Sequence, residues 1–376
     1  MRSKVRLMRR IFAVFTVLAA GLVVSWAAPA AEVAGLYEAE VPVTSQNALE
    51  RVAASRAALE EVLVKVSGKA DVAQLPQLEP LLSQADQWVQ RYQYRVAPPG
   101  VGATAATPTQ LLWMSFDRET INQRLYEAGI PVWGINRPST LLWLAVDDGG
   151  ERYLLGGDNR PDLQAMVNTD ARRAGLPLNI PLLDLQDQGS LKAADVWGDF
   201  SDVILKASER YQPDAVLAGR VYTVAPDKWQ SHWTLYHRGS VTTWESGEGL
   251  QNVAIAAGIS GAAEQFAKRY ALELTPGVTN NVLMTIENVT SLADYARVMR
   301  YLQSLDPVAA VQVARLEGDK LSLLLKVRGQ THGLIQTIAL GKTLAASQPQ
   351  GETVAPEGDT GTEPPAAEEY RYRIVQ

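Results

Sequence analysis

Four carboxylates are the first candidates for chemistry. Asp147-Asp148-Gly149-Gly150 closes an apolar run, Leu141 to Val146, and Asp184 and Asp187 end or follow the next strand-like segment. In open α/β sheets ligands gather beyond the carboxyl ends of the strands. Asp147, Asp148, Asp184 and Asp187 at such an edge would offer oxygen ligands to a divalent cation, or a hydrolase its acid and base. The same residue types also do humbler work. Asp-Gly pairs build tight turns, and Asp ahead of a helix accepts hydrogen bonds from the first amides. The local sequence favours this second reading.

Other chemistry is thinner still. His232 and His237 lie five apart on one predicted strand, so they face opposite sides of it. His332 stands alone at a helix start, and the chain has three histidines and no cysteine, so no transition-metal site is expected. Neither G-x-S-x-G nor Ser-x-x-Lys occurs. Gly341-Lys342-Thr343 resembles the tail of a phosphate loop, but Gln336 occupies the upstream glycine position and the segment ends a predicted helix. No catalytic residue, cofactor or metal is therefore expected. Trp229 and Trp233 share one face of the histidine-bearing strand with Leu235. An exposed pair of indoles would stack on sugars; a buried pair would be the hydrophobic side of a hairpin, the reading preferred here.

The amino-terminal residues speak about place. Arg2, Lys4, Arg6, Arg9 and Arg10 precede an apolar run, Ile11 to Ala27, and Ala28-Pro29-Ala30 supplies small residues at a peptidase site. That is the pattern of a secretory signal peptide, residues 1–30, cut before Ala31. The expected location is periplasmic, the alternative being an uncleaved inner-membrane anchor through residues 11–27. No later apolar stretch approaches the ~20 residues needed to span a bilayer. Without cysteine there is no lipid attachment and no disulfide. Removing five leader cations from 35 leaves 30 against 41 acids, a formal charge of −11. Nucleic acid and anionic membrane surfaces are poor partners for such a chain.

The rest reads as α/β and α+β, in two to three small mixed-sheet modules. Residues 31–129 give β-α-β-β-α. Leu36 to Val43 alternates as a strand, with Pro42 suggesting an edge. Asn47 and Glu50 cap a helix carrying Leu49, Val52, Leu59, Val62, Leu63 and Val66 and closed by Gly68. Strands Val89–Val96 and Leu111–Phe116, joined through Ala97–Thr109, and a helix from Asp117 to Ala128 complete it. Residues 130–275 hold the buried strand Leu141–Val146, a helix (Pro161–Ala174), a strand (Leu176–Asp184), a helix (Ala194–Arg210) and a strand (Asp214–Val221). Two β-α-β steps imply a partly parallel sheet. A hairpin about Arg238-Gly239 and a helix, Leu250–Tyr270, with small residues for close packing follow. After Thr275-Pro276-Gly277, residues 276–344 read β-α-β-β-α, one strand short of a ferredoxin-like plait. Its first helix carries Leu292, Tyr295, Val298, Met299, Leu302 and Leu305 on one face, and its second is expected over Thr331–Leu344. The linker 345–369, with six acids and no base, is expected to be disordered. Tyr370-Arg-Tyr-Arg-Ile-Val-Gln376 alternates again. It is expected to return as the fourth strand through Tyr370, Tyr372 and Ile374, the alternative being pairing with a partner's sheet edge.

Several segments resemble a known family. Leu36 to Val43, Glu61-Val-Leu-Val-Lys-Val-Ser-Gly68, Gly129-Ile-Pro-Val-Trp-Gly-Ile-Asn-Arg-Pro138, Ala194-Asp-Val-Trp-Gly198 and Asp214-Ala-Val-Leu-Ala-Gly-Arg220 are similar to the exported domain of unknown function 2066 family of Gram-negative bacteria. The resemblance spans roughly Leu36 to Tyr270 and implies an envelope location with no assigned catalytic residue. At the level of architecture, the strand ending at Arg220, the Trp-bearing hairpin and the helix look like the amino-terminal domain of TolB and related binding and assembly modules. The expectation is a non-catalytic binding or assembly accessory factor of the cell envelope, acting on envelope proteins. The alternatives are a hydrolase using Asp147, Asp148 and Asp184, and a glycan-binding module.

Overall fold

A computed structural model describes residues 33–96, 110–272, 279–341, 343–347 and 369–375. The leader 1–30, the connection 97–109, the turn 275–277 and most of the acidic linker lie outside the described residues. The described chain is mixed α/β and carries three separate sheets.

The first sheet is antiparallel, with β1 (Glu38–Val43) and β2 (Val89–Val96) flanking β3 (Gln110–Phe116). Pro42 thus sits on an edge strand, where its missing N–H costs no ladder bond. Helix α1 (Ala48–Ser67) begins where the Asn47 side chain accepts from the Glu50 amide at 2.8 Å. It ends at Gly68 with φ 67°, a left-handed position where glycine carries no Cβ penalty. Leu59, Val62, Leu63 and Val66 are fully buried against the sheet. Leu49 and Val52 depart from expectation, at 86% and 47% exposed. They ride on the first turns of α1, which precede the helix's buried stretch beginning at Ala54. Helix α2 (Arg118–Glu127), capped by Asp117, adds Ile121 and Leu125 to the same core.

The second sheet holds β4 (Thr140–Asp147), β5 (Arg152–Leu154), β6 (Leu178–Asn179), β7 (Ala215–Ala225), β8 (Lys228–His237) and β9 (Ser240–Glu245). Its order is β5-β4-β7-β8-β9, with β6 pairing β4. β4 runs parallel to both β6 and β7, as the β-α-β steps require. Both faces of β4 are buried because helices cover both sides of the sheet. Helices α3 (Pro161–Ala174) and α7 (Gln251–Tyr270) lie on one face. The short helices α5 (Ala193–Trp197) and α6 (Ser201–Ser208) lie on the other, preceded by α4 (Leu185–Ser190).

Two expected elements are shorter than the pattern suggested. The strand over Leu176–Asp184 contracts to β6, which lies between Pro177 and Pro181, residues with no N–H for a ladder, and Asp184 then caps α4. The helix over Ala194–Arg210 breaks at Gly198-Asp199. Asp199 adopts φ 54°, and its carboxylate accepts from Tyr236 OH at 2.6 Å and Thr234 Oγ1 at 3.2 Å. Those tertiary hydrogen bonds outweigh continued helix.

The third sheet has the order β11-β12-β10-β14-β13, from β10 (Thr279–Glu287), β11 (Val308–Glu317), β12 (Lys320–Arg328), β13 (Leu344–Ala346) and β14 (Glu369–Ile374). Helices α8 (Leu292–Ser304) and α9 (Thr331–Leu340) cover one face. Leu292 is 81% exposed and leaves the apolar face to its successors, since Ser291 caps the helix beside it. Helix α9 stops at Leu340, four residues short of expectation. Gly341 disfavours helix and lies so close to Tyr301 that a Cβ would meet the phenol oxygen at 2.0 Å. The chain then extends as β13.

This corrects the topology. β13, not Tyr370–Gln376, is the strand to which the second helix of the plait leads. The carboxy-proximal segment forms β14, a fifth strand parallel to β10 and antiparallel to β13, inserted between them. Pairing within the chain, as expected, places Tyr372 and Ile374 in the core at 3% and 4% exposure.

Close packing in the second module is set by glycine against tryptophan. Trp233 is fully buried between Gly219 of β7 and Gly258 of α7. A Cβ on Gly258 would lie 2.0 Å from its ring. Gly258→Ala is expected to destabilise the protein by about 1–3 kcal/mol, despite alanine's better helix propensity. Denaturant midpoints should also show Gly258→Ala with Trp233→Leu losing less than the sum of the single changes.

Candidate functional site

The four carboxylates are tied down in two separate groups. Asp147 accepts from Arg152 Nε at 2.9 Å and from the Gly149 amide at 3.1 Å. Asp148 accepts from the Gly150 amide at 3.3 Å and lies 3.7 Å from Arg160. Asp184 caps α4 through the amides of Gln186 and Asp187, and holds Arg210 at 2.6 and 2.8 Å. Asp187, only 1% exposed, takes the same Arg210 at 2.9 Å and the Tyr211 hydroxyl at 2.5 Å. The hydrogen bonds from Arg152 and Arg210 hold Asp147 and Asp184 below the usual carboxylate range. Each acid serves a turn, a cap or an arginine. Among the described residues no three acids or histidines form a group able to hold a metal ion.

The histidines face opposite sides of β8. His232 sits beside Glu245 at 3.1 Å. His237 is buried, with Nδ1 2.9 Å from the Asp214 carbonyl and Nε2 2.5 Å from Tyr270 OH. A carbonyl only accepts, so Nδ1 carries the proton and Nε2 accepts from the tyrosine. Burial depresses the His237 pKa below its ordinary value. Trp233 donates to Ser231 Oγ at 2.8 Å within the core, and Trp229 is half-buried against the same cluster, so the two do not make an exposed aromatic pair.

The junction between modules holds residues that composition and spacing did not single out. Arg137 is 3% exposed. Its guanidinium donates to the carbonyls of Gly134 (2.9 Å), Gly175 (2.7 Å), Lys65 (2.8 Å) and Trp133 (2.7 Å). It also lies 3.8 Å from the Trp133 ring centroid. Lys65 and Gly175 stand at the carboxyl ends of α1 and α3, where unpaired carbonyls and the helix dipole favour a cation. Asp306, buried ahead of β11, crosses back to the first module. It pairs with Arg118 and accepts from the Ile135 amide at 3.3 Å. Gly134 makes room for it, since a Cβ there would lie 2.1 Å from Asp306 Oδ2. The signal in sequence was Gly129–Pro138 itself, a loop with an arginine among apolar residues.

The helix-free face of the third sheet is polar. Arg315, Lys320, Lys326, Arg371 and Arg373 are exposed, and Thr285 lies in register with Ser322 on one side and Arg371 on the other. A concavity of about 190 Å³ opens there, lined by Thr285, Glu287, Arg315, Glu317, Lys320, Ser322 and Arg371. Its charges are partly matched within the surface: Arg315 pairs with Glu317, and Lys320 lies 3.5 Å from Glu287.

Comparison with known families matches residues 30–134 to a domain of unknown function (DUF8605). That range takes in the first sheet, its helices and the start of the Arg137 loop. No curated protein matches the chain. Among the described residues, no helix is long and apolar enough to cross a membrane.

Two outcomes test the junction. Asp306→Ala strands Arg118, whose side chain is 38% exposed, and should cost about 2–3 kcal/mol, below the full figure for a sealed pair. Calorimetry should then resolve a separate, earlier transition for the third module; one unchanged transition would count against the coupling. The His237 proton sets a pH dependence. Below about pH 6.5 the unfolded histidine binds a proton that the folded one resists, so stability falls as pH drops, by at most about 1.4 kcal/mol per unit. His237→Gln should lack this part of the slope between pH 6.5 and 5.

Proposed function

We propose that this chain is an exported, non-catalytic binding or assembly factor of the cell envelope that contacts its protein partners through sheet edges. Export rests on the cationic, apolar and small-residue pattern of residues 1–30. The DUF8605 match, beginning at residue 30, fits a folded part that starts where that leader stops. The segments similar to the domain of unknown function 2066 family, and the TolB-like hairpin and helix, support an envelope setting by analogy.

One observation carries the binding mode. β11 is an edge strand of ten residues, paired among the described residues only with β12. Its sequence, Val308-Ala-Ala-Val-Gln-Val-Ala-Arg-Leu-Glu317, holds neither lysine nor proline, and Val313 and Leu316 are 45% and 58% exposed. Exposed edges are ordinarily guarded by such residues because their unpaired amides and carbonyls recruit other strands. Arg315, Glu317 and the register shifts at 308/310 and 313/315 mark its two ends, and the uncharged stretch between them, Ala310 to Val313, is suited to strand addition by a partner.

Crosslinked recovery of the tagged protein from envelope fractions tests both parts. The recovered chain should begin at Ala31 and bring a saturable, stoichiometric protein partner. Val313→Lys should lower that recovery by about tenfold, about 1.4 kcal/mol of binding, while changing stability by no more than about 0.5 kcal/mol. An empty recovery would end the binding-factor reading; full recovery by the variant would move the contact away from β11.

A further inference from the structure

The position of β14 invites a question that the plait alone does not answer. A five-residue register joins it to β10, from Leu283↔Glu369 to Glu287↔Arg373, and a three-residue register joins it to β13, from Leu344↔Ile374 to Ala346↔Tyr372. β13 has no other strand neighbour among the described residues. The Ser347 amide bonds the Arg371 carbonyl at 3.0 Å, so the two strands already lie side by side where the connection begins. Antiparallel neighbours need only two to five connecting residues. Here residues 348–368 intervene, a separation of 21 residues. β10, β12 and β11 pair with one another independently of β14, while among the described residues β13 joins the sheet only through it.

We propose that the gap between β10 and β13 is a strand-accepting site, and that residues 369–375 are its built-in occupant, displaceable by an extended segment of a partner protein. The slot states what it accepts. Positions 372 and 374 point into the core beside Met284, Ile286 and Leu344, so they take large apolar side chains. Positions 371 and 373 lie on the open face in register with Thr285 and Glu287, so a cation suits the second. The fitting ligand is an extended peptide alternating aromatic or aliphatic residues with basic ones. It would run parallel to β10 and gain main-chain bonds on both sides, as strand-adding ligands do. Tethering gives the native segment an effective concentration on the order of mM, so a competing strand must exceed that advantage or arrive already linked to another contact. β11, on the other edge of the same sheet, is such a contact. The inference itself stands on the third module alone and does not require the envelope reading.

A specific protease site placed within residues 352–364 tests this in the full chain, after folding. The probe is a fluorescent peptide, Glu368-Glu-Tyr-Arg-Tyr-Arg-Ile-Val-Gln376. Cutting converts the tethered occupant into a dissociable one. The cut protein should release its segment on dilution and bind the probe saturably at one site. The uncut protein should need at least about 100-fold more probe, as the lost effective concentration dictates. Probe carrying Tyr372→Lys and Ile374→Lys should not bind. Three outcomes would overturn the proposal: the cut chain keeps its segment and excludes the probe; cut and uncut chains bind equally; or the third module unfolds on losing the segment and does not refold around added probe. A probe-sensitive dimer of the uncut chain would assign the slot to a second copy instead of a partner.

Discussion

Everything in the arrangement of the first two modules depends on one buried cation. Among the described residues no carboxylate is hydrogen-bonded to Arg137, and burial lowers its pKa. A charge so placed would be costly if its N–H groups were unmet. Instead, four carbonyl bonds meet it, two of them at the carboxyl ends of helices from different modules. The helix ends gain as much as the arginine does, because their last carbonyls have no intrahelical donors. Moving one module away would leave both sides unsatisfied at once. The first two modules are thus held in register by a local electrostatic interaction, beside the apolar packing of Gly68 on Ala267 and Trp133.

The same loop gathers the third module. Val132 pairs with Leu272 through both amide–carbonyl bonds, so the two inter-module connections form a small ladder. Asp306 reaches the Ile135 amide and Arg118, and Leu340 at the end of α9 joins the core of the second module. Arg328 pairs with Glu119 at 3.0 Å, and Arg238 donates to the Ala339 carbonyl at 2.8 Å. The glycines matter by their smallness: Gly134 admits Asp306, and Gly175 admits the Arg137 guanidinium, which a Cβ would approach to 2.5 Å.

Periodicity made the elements of the first and third modules readable because each face there has a single job. Asn47, Gly68, Asp117 and Ser291 mark helix ends by chemistry that acts within a few residues, and the structure uses all four. What sequence hid was decided at a distance. The break at Asp199 comes from Tyr236 and Thr234, more than 30 residues away. The end of α9 comes from Tyr301, about 40 residues away, whereas the two-residue length of β6 was local, set by Pro177 and Pro181. Leu49, Val52 and Leu292 fit the apolar period but lie where no neighbouring element meets them. The direction of β14 was equally hidden, since alternation specifies a strand and its faces but not its neighbours or their sense. At the candidate sites, Asp147 and Asp184 were legible as turn and cap residues. The role of Arg137 was not, because nothing local shows that two helix ends converge on it.

The treatment of sheet edges differs among the modules, and the proposed strand pairing rests on that difference. β1 carries Pro42 on its edge, and β2 carries Arg91 and Arg95 on its face, the latter 5.0 Å from the Trp113 ring. In the second sheet, β9 ends in Glu245, and β5 and β6 are only three and two residues long. Shortness, proline and charge are the usual means of discouraging strand addition. The third sheet puts Arg315, Glu317 and two register shifts on β11 but neither lysine nor proline, and on its opposite side β13 is three residues long and, among the described strands, pairs with β14. A long edge with an uncharged stretch, beside a sheet completed by a distant segment of the chain, is what the proposed recognition by backbone pairing rests on. On that proposal the other two modules would be the mount from which the sheet is presented.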